Sequence, residues 1–151
     1  MTHEFAGIDE VANAVGTQLG ETEWLEITQE QVDQFAAATG DHQWIHVDVE
    51  RAAKGPYGGT IAHGYLTLSL IAKFGEELFS VGGATAKLNY GVNKVRFPAP
   101  VPVGSRVRAS AQISGAQETA AGVQVSLQWV IEIENTPKPA CVAETVVLLV
   151  R

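Results

Sequence analysis

Asp41 and His46 lie five residues apart in the segment Thr39-Gly40-Asp41-His42-Gln43-Trp44-Ile45-His46. A carboxylate and an imidazole can both accept and donate protons, so this pair supplies the groups that general acid–base catalysis requires. Further along the chain, Gly64 follows His63 where a long apolar helix is predicted to begin. The first N–H groups of a helix have no partners inside it and favour negative charge. A base beside such an oxyanion site suits chemistry at a carbonyl or a thioester.

Other interpretations of these residues stay open when spacing alone is considered. An Asp that follows a helix-ending Gly is a common turn former, and a His in a loop is usually solvated. The histidines at positions 42 and 46 are four residues apart, as zinc-binding histidines on helices are, but the Glu of the zinc-protease motif is missing. We therefore predict no metal site. Cys141 lies in an apolar run away from any His, which argues against a cysteine nucleophile.

Three predicted helices position these groups. A capping box at residues 28–31 begins the first helix, and Gly40 ends it, which leaves Asp41 in a turn. Asp48 can cap a second, short helix, so His46 is expected on the connection between the two. A third helix, over residues 62–79, is apolar on most of its circumference, and other elements must therefore cover it.

The second half of the sequence predicts strands. A strand is expected over residues 84–95, and three further segments alternate or are uniformly apolar, over residues 107–113, 123–134 and 140–150. Short turns between the last three strands predict an antiparallel meander. A short helix over residues 8–15 and a brief strand over residues 23–27 are expected earlier. A sheet that wraps one long buried helix is an α+β arrangement.

Composition limits the class of protein. A chain of 151 residues with 46% apolar residues predicts one domain, residues 1–151, with a substantial core. The formal net charge of -7 argues against nucleic-acid binding. No apolar run reaches the roughly 20 residues of a membrane span, and the N-terminus does not resemble a signal peptide. The lone cysteine excludes a disulfide framework. We expect a soluble, cytoplasmic protein.

A small cluster of positive charge contrasts with this acidic background. Its members are Lys94, Arg96, Arg106 and Arg108. They form either a solvated strand face or a binding edge for a phosphorylated ligand.

Three blocks of the sequence resemble, in the same order, the MaoC-like dehydratases of the hot-dog fold, a family that includes the (R)-specific enoyl-CoA hydratases. The resemblance covers the chain from about residue 18 onward and is closest to the single-domain 3-hydroxyacyl-thioester dehydratases of actinobacteria. One departure stands out, since Gln43 and Trp44 occupy the positions of the Asn and Pro in the family's usual Asp-x-Asn-Pro-x-His motif. The blocks are Thr39-Gly40-Asp41-x-x-x-x-His46, Ile61-Ala62-His63-Gly64-Tyr65-Leu66-Thr67 and Asn93-Lys94-Val95-Arg96-Phe97-x-Ala99-Pro100-Val101.

The resemblance implies reversible syn addition of water to a trans-2-enoyl thioester, giving the (3R)-hydroxyacyl thioester. It assigns the proton transfers to Asp41 and His46 and the oxyanion N–H to Gly64. We also expect substrate contacts from Gln43, His63, Lys94 and Arg96.

No metal or redox cofactor is implied. The substrate would be carried by CoA or by acyl carrier protein, and the protein is expected to form a homodimer by pairing sheet edges. Two alternatives stay open, a non-catalytic hot-dog protein that binds acyl thioesters or stabilises a partner subunit, and a hot-dog thioesterase, although thioesterases lack the Asp-x-x-x-x-His spacing.

Overall fold

The computed structural model describes residues 2–151, with helices concentrated in the first half and strands in the second. The helices are α1 (Ile8–Ala12), α2 (Gln29–Thr39), α3 (Trp44–Val47), α4 (Val49–Ala53), α5 (Gly64–Ser69) and α6 (Ile71–Leu78). The strands are β1 (His3–Phe5), β2 (Gln18–Glu21), β3 (Leu25–Glu26), β4 (Phe79–Val81), β5 (Ala86–Arg96), β6 (Arg106–Thr119), β7 (Gly122–Ile133) and β8 (Cys141–Val150).

The main sheet is antiparallel and has the strand order β2-β6-β7-β8-β5, with β3 also paired to β6. The predicted meander is confirmed, because β6 pairs with β7 and β7 with β8 along almost their whole lengths. The alternating apolar residues of β6 and β7 are buried on one face, which is what a period of two predicts for a half-buried strand. Within residues 2–151, β5 pairs on one side only, with β8.

The predicted long helix is present as two helical segments, α5 and α6, that meet at Leu70. Leu70 keeps helical dihedrals, and its N–H reaches the carbonyls of both Leu66 and Thr67, at 3.1 and 3.2 Å. The helical path therefore continues through the junction with one tightened turn. Leu66, Leu70, Phe74 and Leu78 recur every four residues and are all buried. This stripe packs in one core with the inner face of the sheet, which confirms the α+β class.

The shorter elements differ from the expectations. Helix α1 ends at Ala12 instead of near residue 15, and the strand predicted over residues 23–27 is only the two residues of β3. Three short strands had no sequence signal, β2 and the parallel pair β1 and β4. Each has three or four residues, too few for an alternating pattern to stand out. In the described part of the chain, helices of sufficient length and apolarity to span a bilayer are absent.

Candidate active site

Asp41 lies in a turn immediately after α2, as predicted. Gly40 ends the helix in the left-handed conformation, with φ of 83°, which glycine adopts without steric cost. At the other end of α2, Thr28 accepts a hydrogen bond from the Gln31 N–H at 3.2 Å, as the capping box predicts. The Asp41 side chain is exposed, and its Oδ1 accepts a hydrogen bond from the Gln43 N–H at 3.3 Å. The carboxylate is thus held in place by its own turn while it remains open to solvent.

His46 lies in the one-turn helix α3 and not, as predicted from the sequence, on a connection between two helices. Its side chain is buried, and Nδ1 lies 2.7 Å from the carbonyl oxygen of Ile61. A carbonyl can only accept, so Nδ1 carries the proton and donates it, and Nε2 keeps its lone pair. The Ile61 N–H in turn donates to the Ile45 carbonyl at 3.0 Å. The imidazole is therefore fixed in the tautomer whose Nε2 can accept a proton.

His63 and Gly64 meet this loop from the start of α5. His63 is the residue before the helix, and its Nε2 lies 2.9 Å from the Asp41 carbonyl oxygen. Its ring stacks on that of His46 with centroids 3.9 Å apart. Gly64 is the first residue of α5, so its N–H has no acceptor within the helix. A Cβ at position 64 would lie 3.1 Å from the Phe97 ring, which explains why glycine suits this position.

The side-chain ligand atoms of Asp41, His46 and His63 all lie within 4.8 Å of one another. Such a group could in principle hold a metal ion. However, the two imidazoles are stacked, with centroids 3.9 Å apart and 25° between their planes, whereas an ion bound by both would have to lie in both ring planes at once. One nitrogen of each ring also lies at a backbone carbonyl. This geometry favours proton transfer over metal binding.

Lys94 and Arg96 do not join this cluster within the chain. They lie opposite Glu144 and Val142 of β8, on the outer face of the sheet, which is turned away from α5 and α6. Neither forms an ion pair with any residue between positions 2 and 151. The next side chain, Phe97, points to the other face and reaches Gly64. The end of β5 is therefore close to the site, although the two cations lie on its far face.

The other two cations of the predicted cluster form ion pairs on the sheet surface. Arg106 pairs with Glu134, and Arg108 lies 2.9 Å from Glu21 and 2.6 Å from Glu132. These contacts match the interpretation of a solvated strand face for these two arginines, because cross-strand pairs of opposite charge are ordinary on exposed sheets.

Two sets of contacts that hold the segment from Asp41 to His46 in place were not predicted from the sequence. The Gln29 side-chain amide donates to the His46 carbonyl at 2.8 Å and accepts from the Thr60 hydroxyl at 2.6 Å. Trp44 packs against Gly55, and the Arg51 guanidinium lies 4.2 Å from the centre of its ring. The contacts of Gln29 span 17 and 31 residues, so no local pattern could have indicated them.

A cavity of about 450 Å³ opens between the helices α5 and α6 and the inner face of β5, β7 and β8. Its walls are mainly apolar, and the Trp129 indole that lines it donates to the Thr145 hydroxyl at 3.0 Å. Leu68, which lines the cavity, follows Gly64 by one helical turn, a rise of about 6 Å along the axis. The cavity therefore runs along the same helical path that begins at Gly64, although Asp41, His46, His63 and Gly64 do not line it.

Comparison with known proteins identifies the family. Residues 10–134 match the model of the MaoC like domain. The chain is 52% identical over 144 residues to 3-hydroxyacyl-thioester dehydratase Z of Mycobacterium tuberculosis, covering 95% of both chains. This chain belongs to the MaoC-like family. Within that family it is also 43% identical to nodulation protein N of Rhizobium leguminosarum, over 97% of this chain and 92% of that protein.

Among solved structures, the (R)-hydratase from A. caviae superimposes with a TM-score of 0.73 and 26% identity, over 89% of this chain and 96% of that one. The hot-dog architecture expected for a MaoC-like protein is therefore confirmed. The extent of the domain, residues 1–151, stays a prediction, as do the roles of the individual site residues.

Proposed function

We propose that this MaoC-like protein is an (R)-specific enoyl-thioester hydratase, and equally a 3-hydroxyacyl-thioester dehydratase in the reverse direction. The observation that carries the proposal is that a carboxylate oxygen of Asp41 and a ring nitrogen of His46 lie within 4.8 Å of each other. His63, which directly precedes the first N–H of α5, belongs to the same cluster. The similar proteins from M. tuberculosis and A. caviae are named as a 3-hydroxyacyl-thioester dehydratase and an (R)-hydratase, which is the same class of reaction.

In the proposed mechanism, Asp41 and His46 hold one water molecule between the carboxylate and Nε2. The water oxygen bonds to C3 of the enoyl thioester, and the electron pair of the C2–C3 double bond moves towards the thioester carbonyl. The Gly64 N–H stabilises the negative charge that develops on that oxygen. The pair removes a proton from the water and returns a proton to C2 on the same face. Because the two groups act together, the proton duties belong to the pair. The reaction moves no electrons to an acceptor and therefore requires no redox cofactor.

We infer the remaining substrate contacts from the residues that surround the cavity and the candidate site. We propose that the acyl chain enters the cavity along α5 and α6, whose apolar lining suits it. Gln43 lies beside the Asp41 carboxylate at the exposed end of the site. A pantetheine arm that leaves past Phe97 would meet the outer side of β5, where Arg96 and Lys94 could bind the phosphates of CoA or of acyl carrier protein.

We also propose that the protein forms a homodimer through β5. This 11-residue strand has one unpaired edge among the described residues 2–151. Its exposed apolar side chains include Leu88 and Tyr90, which are 50% and 63% exposed. A long apolar edge strand invites pairing with another chain. A second copy of β5 would satisfy that edge and continue the sheet. An acyl-CoA substrate and a single reduced cysteine suit a cytoplasmic location, which we propose as well.

The test is a hydration assay with crotonyl-CoA that follows the loss of absorbance of the conjugated thioester. We expect Asp41→Asn and His46→Ala to lower kcat by about 10²- to 10⁴-fold, the usual contribution of a positioned acid or base. His42→Ala is the matched control, since this exposed histidine lies in the same loop, and it should keep near wild-type activity. Unchanged rates in both Asp41→Asn and His46→Ala would refute the mechanism.

Two further readouts separate the alternatives. Chiral analysis of the product should give the (3R)-hydroxyacyl thioester, and the (3S) product would contradict the proposal. Release of free CoA in a thiol assay would indicate a thioesterase. Tight binding of acyl-CoA without turnover would indicate a non-catalytic binding protein.

A further inference from the structure

His63 is almost fully buried, with 2% of its surface exposed, yet it contacts both members of the Asp41–His46 pair. Its Nε2 lies 2.9 Å from the Asp41 carbonyl oxygen, so this nitrogen carries the proton and donates it. Its ring stacks on His46, and Phe35 packs against it, with ring centroids 4.8 Å apart. One imidazole therefore touches the carboxylate's turn and the proton acceptor at the same time.

The other ring nitrogen of His63, Nδ1, lacks a hydrogen bond. Nδ1 is buried and has no hydrogen-bond donor among the described residues. A buried polar atom without a partner costs stability, and a phenylalanine would fill the space between Phe35 and His46 without that cost. Local rules broken in this way are typical of functional positions. Packing alone therefore does not account for a histidine at position 63, and we look for a role of its imidazole in the reaction.

We propose that His63 is a positioning residue for the hydration reaction, acting through Asp41 and His46 without contacting the substrate with its ring. The proposal rests on the proposed function. The hydrogen bond from Nε2 ties the exposed turn of Asp41 to the start of α5, where Gly64 lies. The stacking fixes the plane of His46, whose Nδ1 is already tied to Ile61.

Positioning of this kind has a direct chemical consequence. The water, the oxyanion N–H and the two proton-transfer groups belong to different segments of the chain, and the reaction requires them in one geometry. A misplacement of about 1 Å can cost on the order of 100-fold in rate. The Asp41 turn is the most exposed of these parts, so it depends most on an external anchor.

Two variants of His63 separate its two contacts. His63→Phe keeps an aromatic ring against His46 and removes the donor to Asp41. His63→Gln places an amide N–H close to the position of Nε2 and removes the ring. We expect His63→Phe to lower kcat for crotonyl-CoA by roughly 10- to 100-fold with KM within about threefold, because a misplaced reacting group slows the chemical step while the acyl and carrier contacts persist. His63→Gln should retain more of the kcat than His63→Phe.

Thermal stability and hydrogen exchange provide readouts that do not depend on activity. The Tm of His63→Phe should equal or exceed that of the wild type, because the unpaired Nδ1 is gone, while amide exchange in residues 40–46 should become faster. His42→Phe, the same change at an exposed histidine of that loop, should alter neither kcat nor exchange in these residues.

The outcomes distinguish this inference from the proposed function. An inactive wild-type protein would refute the function itself. An active wild type whose His63→Phe variant has unchanged kcat and exchange would refute the positioning role, and so would a parallel fall of kcat and Tm, which marks a structural residue. Addition of His63→Phe to Asp41→Asn should cost less than threefold further, since both act on one group. Independent, multiplicative losses would contradict action through Asp41.

Discussion

Gly75 offers a direct test of where the acyl chain binds. It lies in α6 and lines the cavity, and a Cβ at this position would be 3.9 Å from both the Phe79 and the Trp129 rings. An alanine therefore fits at ordinary contact distance. A leucine would project its remaining carbons into the space that we assign to the acyl chain.

The expected effect follows from the carbons that the leucine displaces. The three carbons beyond its Cβ take the place of about three methylene groups, which at about 0.8 kcal/mol each amounts to roughly 2.4 kcal/mol. This corresponds to a loss of about 50-fold in kcat/KM for a chain that fills the cavity. Crotonyl-CoA is too short to reach far beyond Gly64 and should lose less than about twofold, since a hydrophobic contact that it never makes cannot be lost.

The assay compares crotonyl-CoA, trans-2-octenoyl-CoA and trans-2-dodecenoyl-CoA for the wild type, Gly75→Ala and Gly75→Leu. Gly75→Ala is the matched control and should keep the wild-type preference. It should also raise Tm by about 1–4 °C, because alanine replaces glycine inside a helix at a gain of about 0.5–1 kcal/mol. An unchanged length profile in a folded Gly75→Leu protein would refute the assignment of the cavity. An equal loss on all three substrates would indicate damage to the catalytic groups instead.

Three further predictions concern the support of the site, the cysteine and the sheet edge. Gln29→Leu should lower kcat by about 10-fold in the hydration assay, because the His46 carbonyl loses its donor, and an unchanged kcat would show that α3 needs no such anchor. Burial raises the pKa of the Cys141 thiol to about 11, so at pH 8 it should react with a thiol reagent only after unfolding. Because the unfolded thiol ionises first, near pH 9, stability should be intact below that pH and fall as the pH rises towards 11 in pH-dependent denaturation. Prompt reaction of the native thiol would contradict its burial. Tyr90→Lys should shift the protein from dimer to monomer in sedimentation, because a charge on the free edge opposes pairing, and an unaltered dimer would place the interface elsewhere.

The fold could be predicted from sequence where its signals are local and long. The alternation in β6 and β7 and the apolar stripe of the long helix each extend over many residues, and both elements were predicted in the right places. The junction at Leu70 could not be predicted, because that residue and its neighbours carry no helix-breaking side chain. The parallel pairing of β1 with β4 joins residues more than 70 positions apart and leaves no pattern in either segment.

The features of the candidate site divide in the same way, into those with a local sequence signal and those set by distant contacts. The turn of Asp41 and the helix start at Gly64 each have a local signature and were predicted where the structure has them, whereas His46 was expected on a connection and lies in α3. The tautomer of His46 was beyond the reach of sequence, because it depends on the carbonyl of Ile61, 15 residues away. The outer placement of Lys94 was equally hidden, because two register shifts between β5 and β8 decide which face each residue takes.

The Gln43–Trp44 pair, which departs from the family's usual Asn-Pro, shows how the loop can keep its geometry with other residues. Gln43 holds Asp41 through its backbone N–H, a bond that does not depend on the side chain at position 43. Trp44 is held through packing on Gly55 and the Arg51 guanidinium, so the start of α3 is anchored from the following helix. The loop is thus fixed by contacts to α4, to Ile61 and to α5, which lie outside the motif itself. A motif whose geometry is set from outside can tolerate exchange of its inner residues, provided that Asp41 and His46 remain.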